Sequence, residues 1–187
     1  DYQNLLVSNQ EEYERLARMI DSMLFLARTE QANARVNVEQ INLHDLIEQL
    51  CEYFEGVAQE RDVQLLNQTQ DQLMGDPGLI RRALANLLAN ALRYAIPESA
   101  VTISSRVMQD TLDITVHNHG EPIAAEHLPR LFERFYRCDP SRNQPDDSGG
   151  LGLAIVRSIM QLHGGSVSVD STEAGTSFHL AFPLKRA

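Results

Sequence analysis

The segment Ile80–Tyr94 carries two opposed surfaces on one helical wheel, and that pairing limits how the chain can fold. At about 100° per residue, Ile80, Leu84, Leu87, Leu88, Ala91 and Leu92 share one side. Asn86, Asn90, Arg93 and Tyr94 fall on the other, within an arc of roughly 100°. The apolar side needs a core to cover it. The polar side offers two amides, a cation and an aromatic ring. An amide oxygen is a hard ligand suited to Mg²⁺, which shares its oxygens with substrate phosphates. A guanidinium forks onto phosphate oxygens, and a Tyr ring can lie on a base or ribose. Taken alone, the same face could simply be solvated.

Four further segments follow it. They are Val116-His117-Asn118-His119-Gly120-Glu121-Pro122-Ile123, Leu131-Phe132-Glu133-Arg134-Phe135-Tyr136-Arg137, Ser148-Gly149-Gly150-Leu151-Gly152-Leu153 and Ala174-Gly175-Thr176-Ser177-Phe178. The second glycine run leads straight into a helical pattern. Glycines let backbone approach phosphate, and a helix N-terminus adds free N–H groups and positive potential. By itself such a run serves equally as a tight packing turn. In order and spacing, these segments with Asn86–Tyr94 resemble the N, G1, F, G2 and G3 boxes of two-component sensor histidine kinases. The resemblance runs from about Glu11 to Pro183.

That resemblance implies a kinase that binds ATP and Mg²⁺ and passes the γ-phosphoryl group to a histidine. It implies Asn90 as metal ligand, with Asn86 in support, and Asn86 and Arg93 as catalytic residues. The nucleoside would be gripped by Tyr94, Asn118, Gly120, Ile123 and Thr176. Gly150, Leu151, Gly152 and Leu153 would admit the triphosphate beside Arg137, with Arg142 bordering the loop. The family usually has Asp where Asn118 stands. An Asn carbonyl still accepts a bond from an adenine amino group. Pro122, Ser148 and Glu173 also replace family glycines. The Asn-x-Gly-x-Pro form resembles heavy-metal sensor kinases, above all copper and silver responders. A partial resemblance to the gyrase, Hsp90 and mismatch-repair ATPases fails at Asn86. There a Glu four residues before the metal-binding Asn orients water, and an amide is no general base. Two other readings stay open: an interaction module that senses nucleotide without transfer, and an ATPase-driven clamp.

None of the histidines (His44, His117, His119, His127, His163 and His179) lies in the Ser-His-Asp/Glu-Leu-Arg-Thr-Pro phosphoacceptor motif. His163 suits a helix end. His117 and His119 make a pair without further ligands at metal spacing. The net charge of −10 argues against nucleic acid as a partner. Two cysteines, Cys51 and Cys138, give no disulfide framework and fit a reducing compartment. No apolar run approaches the roughly 18 residues that span a bilayer. The chain opens on Asp1, in mid-pattern. The expectation is a cytoplasmic piece of a longer bacterial inner-membrane protein, homodimeric, acting on a phosphoacceptor hairpin and a response regulator.

The expected fold is a two-layer α/β sandwich of the Bergerat type, with a mixed sheet, helices on one face and one long coiled-coil-like helix ahead of it. Residues 1–30 form that helix. Tyr13, Leu16, Ile20, Met23 and Ala27 alternate three and four apart, and Met19, Leu24 and Leu26 widen the stripe. It can pair with a partner helix or fold back on its own domain. The resemblance makes it the second helix of a dimerisation and phosphoacceptor hairpin. Residues 31–38 are a linker and 39–187 the catalytic domain. There the pattern predicts strands at 39–42, 63–67, 101–108, 111–118, 166–171 and 176–183. Helices are predicted over 43–61, from Pro77 to Ala95, over 126–132 and over 152–162, with a mobile loop at 138–149.

Overall fold

The computed structural model describes residues 2–31, 34–138 and 149–184, with backbone alone for residues 2–8 and 11. The elements are α1 (Tyr2–Thr29), β1 (Glu39–Asn42), α2 (Leu43–Glu60), β2 (Val63–Gln68), β3 (Gln72–Gly75), α3 (Pro77–Tyr94), β4 (Ser99–Met108), β5 (Thr111–Asn118), α4 (Gly152–Leu162), β6 (Ser166–Thr172) and β7 (Gly175–Pro183). One sheet runs in the order β2-β4-β5-β7-β6, and β1 pairs with β3 in a small ribbon. The β2–β4 pair is parallel and the others in the large sheet are antiparallel, which makes it mixed.

Period-two alternation decides which face is covered. Leu112, Ile114 and Val116 of β5 and Phe178, Leu180 and Phe182 of β7 are buried. They meet Ile80, Leu84, Leu87 and Leu88 of α3 and Ile155, Val156 and Ile159 of α4 in one core. Each large aliphatic side chain so covered contributes about 1.5–3 kcal/mol. The other sheet face is polar. There Thr115 Oγ1 lies 3.0 Å from His179 Nδ1, and His117 Nδ1 lies 2.8 Å from Ser177 Oγ.

Local chemistry sets the helix ends. Asp76 caps α3, its Oδ1 accepting from Gly78 N at 3.0 Å and Leu79 N at 3.1 Å, with Pro77 in the first turn. His163, at the far end of α4, donates from Nδ1 to the Ile159 carbonyl at 2.8 Å. Its Nε2 is thereby left to accept from Asp76 N at 3.0 Å. The start of α3 is thus tied to the end of α4.

Three expectations need correction. The helix over 126–132 is only a 3-10 turn, Leu128–Arg130. Pro129 lacks an N–H and its ring opposes the carbonyl four residues back, so bonds span three residues instead: Arg130 N to His127 O and Glu133 N to Arg130 O. Strand β3 was not anticipated; it has only Leu73 as a large buried side chain and exists by pairing with β1. The stripe on α1 is two stripes. Leu26 is buried and Met19 and Phe25 pack on the core. Tyr13, Leu16, Ile20, Met23 and Leu24 remain exposed.

Candidate functional site

The row Leu112, Ile114, Val116 ends at Asn118, and the row Phe182, Leu180, Phe178 ends at Thr176. Asn118 and Thr176 are partners in register, so two polar side chains terminate adjoining apolar rows. They are 3% and 4% exposed. Thr176 Oγ1 lies 2.7 Å from Ser171 Oγ, which also accepts from Ile123 N at 2.9 Å. The Asn118 amide makes no side-chain hydrogen bond among the described residues, and its polar atoms are not sealed from solvent. They are open to a ligand or water.

The C-terminal end of α3 reaches this spot through its backbone, with Ile96 N donating to His119 O at 2.9 Å. A Cβ at Gly120 would stand 2.4 Å from the Tyr94 carbonyl oxygen and 3.0 Å from Asn118 Nδ2. Only glycine permits this approach. Gly175 plays the same part on β7, at φ +128, where a Cβ would meet Asn118 O at 2.3 Å. Along α3, Asn86, Asn90 and Arg93 are half-buried and Tyr94 is exposed. Asn86 turns its Nδ2 back to the Arg82 carbonyl at 2.9 Å. Asn90 makes no side-chain hydrogen bond among the described residues. The Arg93 guanidinium lies 5.8 Å from the Tyr94 ring centre.

The third wall is the turn into α4. Gly149 and Gly150 have φ of +61 and +77. A Cβ at Gly150 would sit 3.0 Å from the Phe135 Cα, and Phe135 N donates to Gly150 O at 2.9 Å. Leu151, at the cap position, is buried, and among the described residues no side chain caps the helix. A helix N-terminus of this kind suits an anion. Gly152 and Leu153 begin the helix and Arg137 is half-buried. Arg142 and Ser148, and the loop between them, lie outside the described residues.

Elsewhere the chemistry is quieter. The His117 and His119 rings are edge-to-face at 4.9 Å. Burial, and to a lesser degree the charge of His119, hold His117 below the ordinary histidine range. Burial and the Glu48 carboxylate push the Cys51 thiol up to about 11, so it stays protonated and unreactive. Among the described residues no group of three His, Cys, Asp or Glu side chains could hold a metal ion. No described helix is long and apolar enough to cross a membrane.

Residues 75–186 match the family described as histidine kinase-, DNA gyrase B-, and HSP90-like ATPase. The chain belongs to this family. Among named members, the sensor histidine kinase CusS of Escherichia coli O157:H7 is 42% identical over 184 residues, 98% of this chain and 38% of that protein. The sensor protein CzcS of Cupriavidus metallidurans is 41% identical over 188 residues, 100% of this chain and 40% of that protein. The chain thus spans about two fifths of the length of these relatives. The solved Acinetobacter baumannii histidine kinase AdeS shares the fold, with a TM-score of 0.84 over 97% of this chain and 85% of that one, at 22% identity.

Two of the positions where the resemblance expects glycine, Glu173 and Pro122, are exposed. Glu173 lies in the β6–β7 turn, which Thr172 closes by accepting from Ala174 N at 3.1 Å. Gly175 takes the glycine-only conformation instead. One residue escaped the sequence reading. Ser171 joins the Ile123 backbone to Thr176, and its only sequence signal is its place five residues before that threonine.

Proposed function

We propose that the chain binds Mg·ATP between α3, the β5–β7 strand ends and the α4 turn, and delivers the γ-phosphoryl group to a histidine on a helical hairpin. The Asn118 amide, at the end of a buried row beside Gly120 and without a hydrogen bond among the described residues, carries this reading. The residues fit the nucleotide and its metal: close-approach glycines stand at Gly120, Gly150 and Gly175, a helix N-terminus follows the Gly150 turn, and the Asn90 amide makes no hydrogen bond among the described residues.

Asn118 and Thr176 would take the base edge, with Ser171 and Ile123 fixing the threonine, and Tyr94 would cover the nucleoside. The amides from Gly150 to Leu153 and the Arg137 guanidinium would hold the phosphates. Asn90 would present its amide oxygen to Mg²⁺, which neutralises phosphate charge when bound. Asn86, anchored on Arg82, would keep that face in register, and Arg93 would offset charge during transfer. Phosphoryl transfer rests on such positioning and neutralisation. With Asn86 in place of a carboxylate, the position four residues before Asn90 carries no base for water. That favours transfer to protein over an ATPase cycle.

The relatives' names support a role in a sensor histidine kinase, and the solved complex of the histidine kinase ThkA with a response regulator protein supports such a regulator as partner. A response to heavy metals and an anchor at the inner membrane are what the Asn-x-Gly-x-Pro resemblance implies. The exposed stripe Tyr13, Leu16, Ile20, Met23 and Leu24 supports α1 as a dimerising hairpin helix, with residues 31–38 as linker and the domain beyond. The test is labelling with γ-³²P ATP. The chain should not label itself, because none of its histidines lies in a phosphoacceptor motif, and it should label an added acceptor hairpin. Nucleotide binding without label on the hairpin would favour the sensing module, and sustained phosphate release would favour the ATPase.

A further inference from the structure

Arg15 Nε is buried and has no hydrogen-bond partner among the described residues. Buried polar atoms in native proteins are nearly always paired, so an orphan points to a missing acceptor. An arginine stays charged and its nitrogens can only donate, so the acceptor is anionic or strongly polar. Arg15 stands on the face of α1 turned to the domain. Arg15, Met19, Ser22 and Leu26 follow one another at helical spacing, each of them half-buried or buried.

Met19 fixes where that face lies. Its terminal methyl carbon occupies the space a Cβ at Gly149 would need, 2.6 Å from that point. Gly149 opens the turn into the N-terminus of α4. Arg15 is one turn before Met19 on the same face, about 5–6 Å along the helix. Three other contacts pin α1 in this setting. Arg82 bonds Asp21 at 3.0 Å and lies 4.1 Å from the Phe25 ring centre, and Arg134 pairs with Glu30. What Arg15 holds instead is weak: Nη1 lies 3.3 Å from Glu12 on its own helix, both side chains being partly exposed. A phosphate with several oxygens would outcompete that carboxylate and offer the fork a bidentate partner.

We propose that Arg15 binds the terminal phosphate of a nucleoside triphosphate seated at the Gly149–Gly152 turn, so that α1 supplies a cation to a site otherwise built by the domain. The assignment rests on the nucleotide reading above. It adds that the chain distinguishes a triphosphate from a diphosphate through a residue outside the family's matched segment, which begins at residue 75.

Calorimetric titration of the whole chain with Mg²⁺ and either ADP or a non-hydrolysable ATP analogue tests it. Arg15→Gln should weaken the analogue by about tenfold, the loss expected of one charge-assisted bond, and leave ADP within about twofold. Arg15→Lys, which keeps the charge but loses the fork, should fall between. Unchanged affinity for the analogue in Arg15→Gln, or an equal loss for both nucleotides, overturns the assignment while the nucleotide site stands. If the unaltered chain binds neither nucleotide, the site reading itself falls and Arg15 falls with it.

Discussion

Asn90→Ala is expected to lower Mg²⁺-dependent nucleotide affinity by about a hundredfold or more, close to 2.7 kcal/mol. Asn90 is half-buried on the polar face of α3, and its amide is uncommitted among the described residues. Alanine keeps the helix, since it is the best helix former, and removes the carboxamide with the oxygen that would face the metal. Asn86→Ala should cost less, because Asn86 already spends its Nδ2 on the Arg82 carbonyl. The internal control is the histidine pair. His117 bonds Ser177 on the open sheet face, so the double change to alanine at His117 and His119 should alter Mg²⁺-dependent binding little. Comparable losses from both sets of changes, read by calorimetry, would mean the metal lies elsewhere.

Phe178→Ala is expected to cost about 3–5 kcal/mol of unfolding free energy, the range for emptying a buried aromatic site. Phe178 is 1% exposed, on β7 between β5 and β6. Its ring meets Phe132 edge-to-face at 6.2 Å. It therefore joins the sheet to the segment that carries Phe135 against Gly150. The row that Phe178 occupies ends two residues away at Thr176, so the cavity would loosen the site as well as the core. Urea melts should show the midpoint falling with the slope unchanged. A loss under about 1 kcal/mol would mean the core is not organised around this strand.

Much of this architecture is legible in the residues, because periodicity and side-chain packing agree. Ile80, Leu84, Leu87, Leu88, Ala91 and Leu92 repeat at helical spacing and are all buried. Strands β5 and β7 alternate cleanly, and the Asp76–Pro77 cap stands where its chemistry requires. Legibility fails where tertiary pairing outweighs local pattern. Strand β3 has no signal of its own because β1 creates it. The 126–132 segment has helical apolar spacing at Leu128, Leu131 and Phe132, yet Pro129 breaks the bonding. On α1 the pattern merges two stripes, since Met19 and Leu26 lie close in sequence to the exposed residues and only docking on the domain separates them. In the site, boxes locate Asn118, Gly120 and Thr176, whereas Ser171 acts through contacts that no motif encodes.

The central claim is that α3, the β5–β7 strand ends and the α4 turn form one Mg·ATP site. Titration of the chain with a non-hydrolysable ATP analogue, with Mg²⁺ and with chelator, tests it most directly. The account predicts saturable one-site binding with Kd well below about 1 mM, stronger than about −4 kcal/mol, and at least about tenfold weaker in chelator. No binding at millimolar nucleotide, or binding indifferent to Mg²⁺ and to Asn90→Ala, would contradict it.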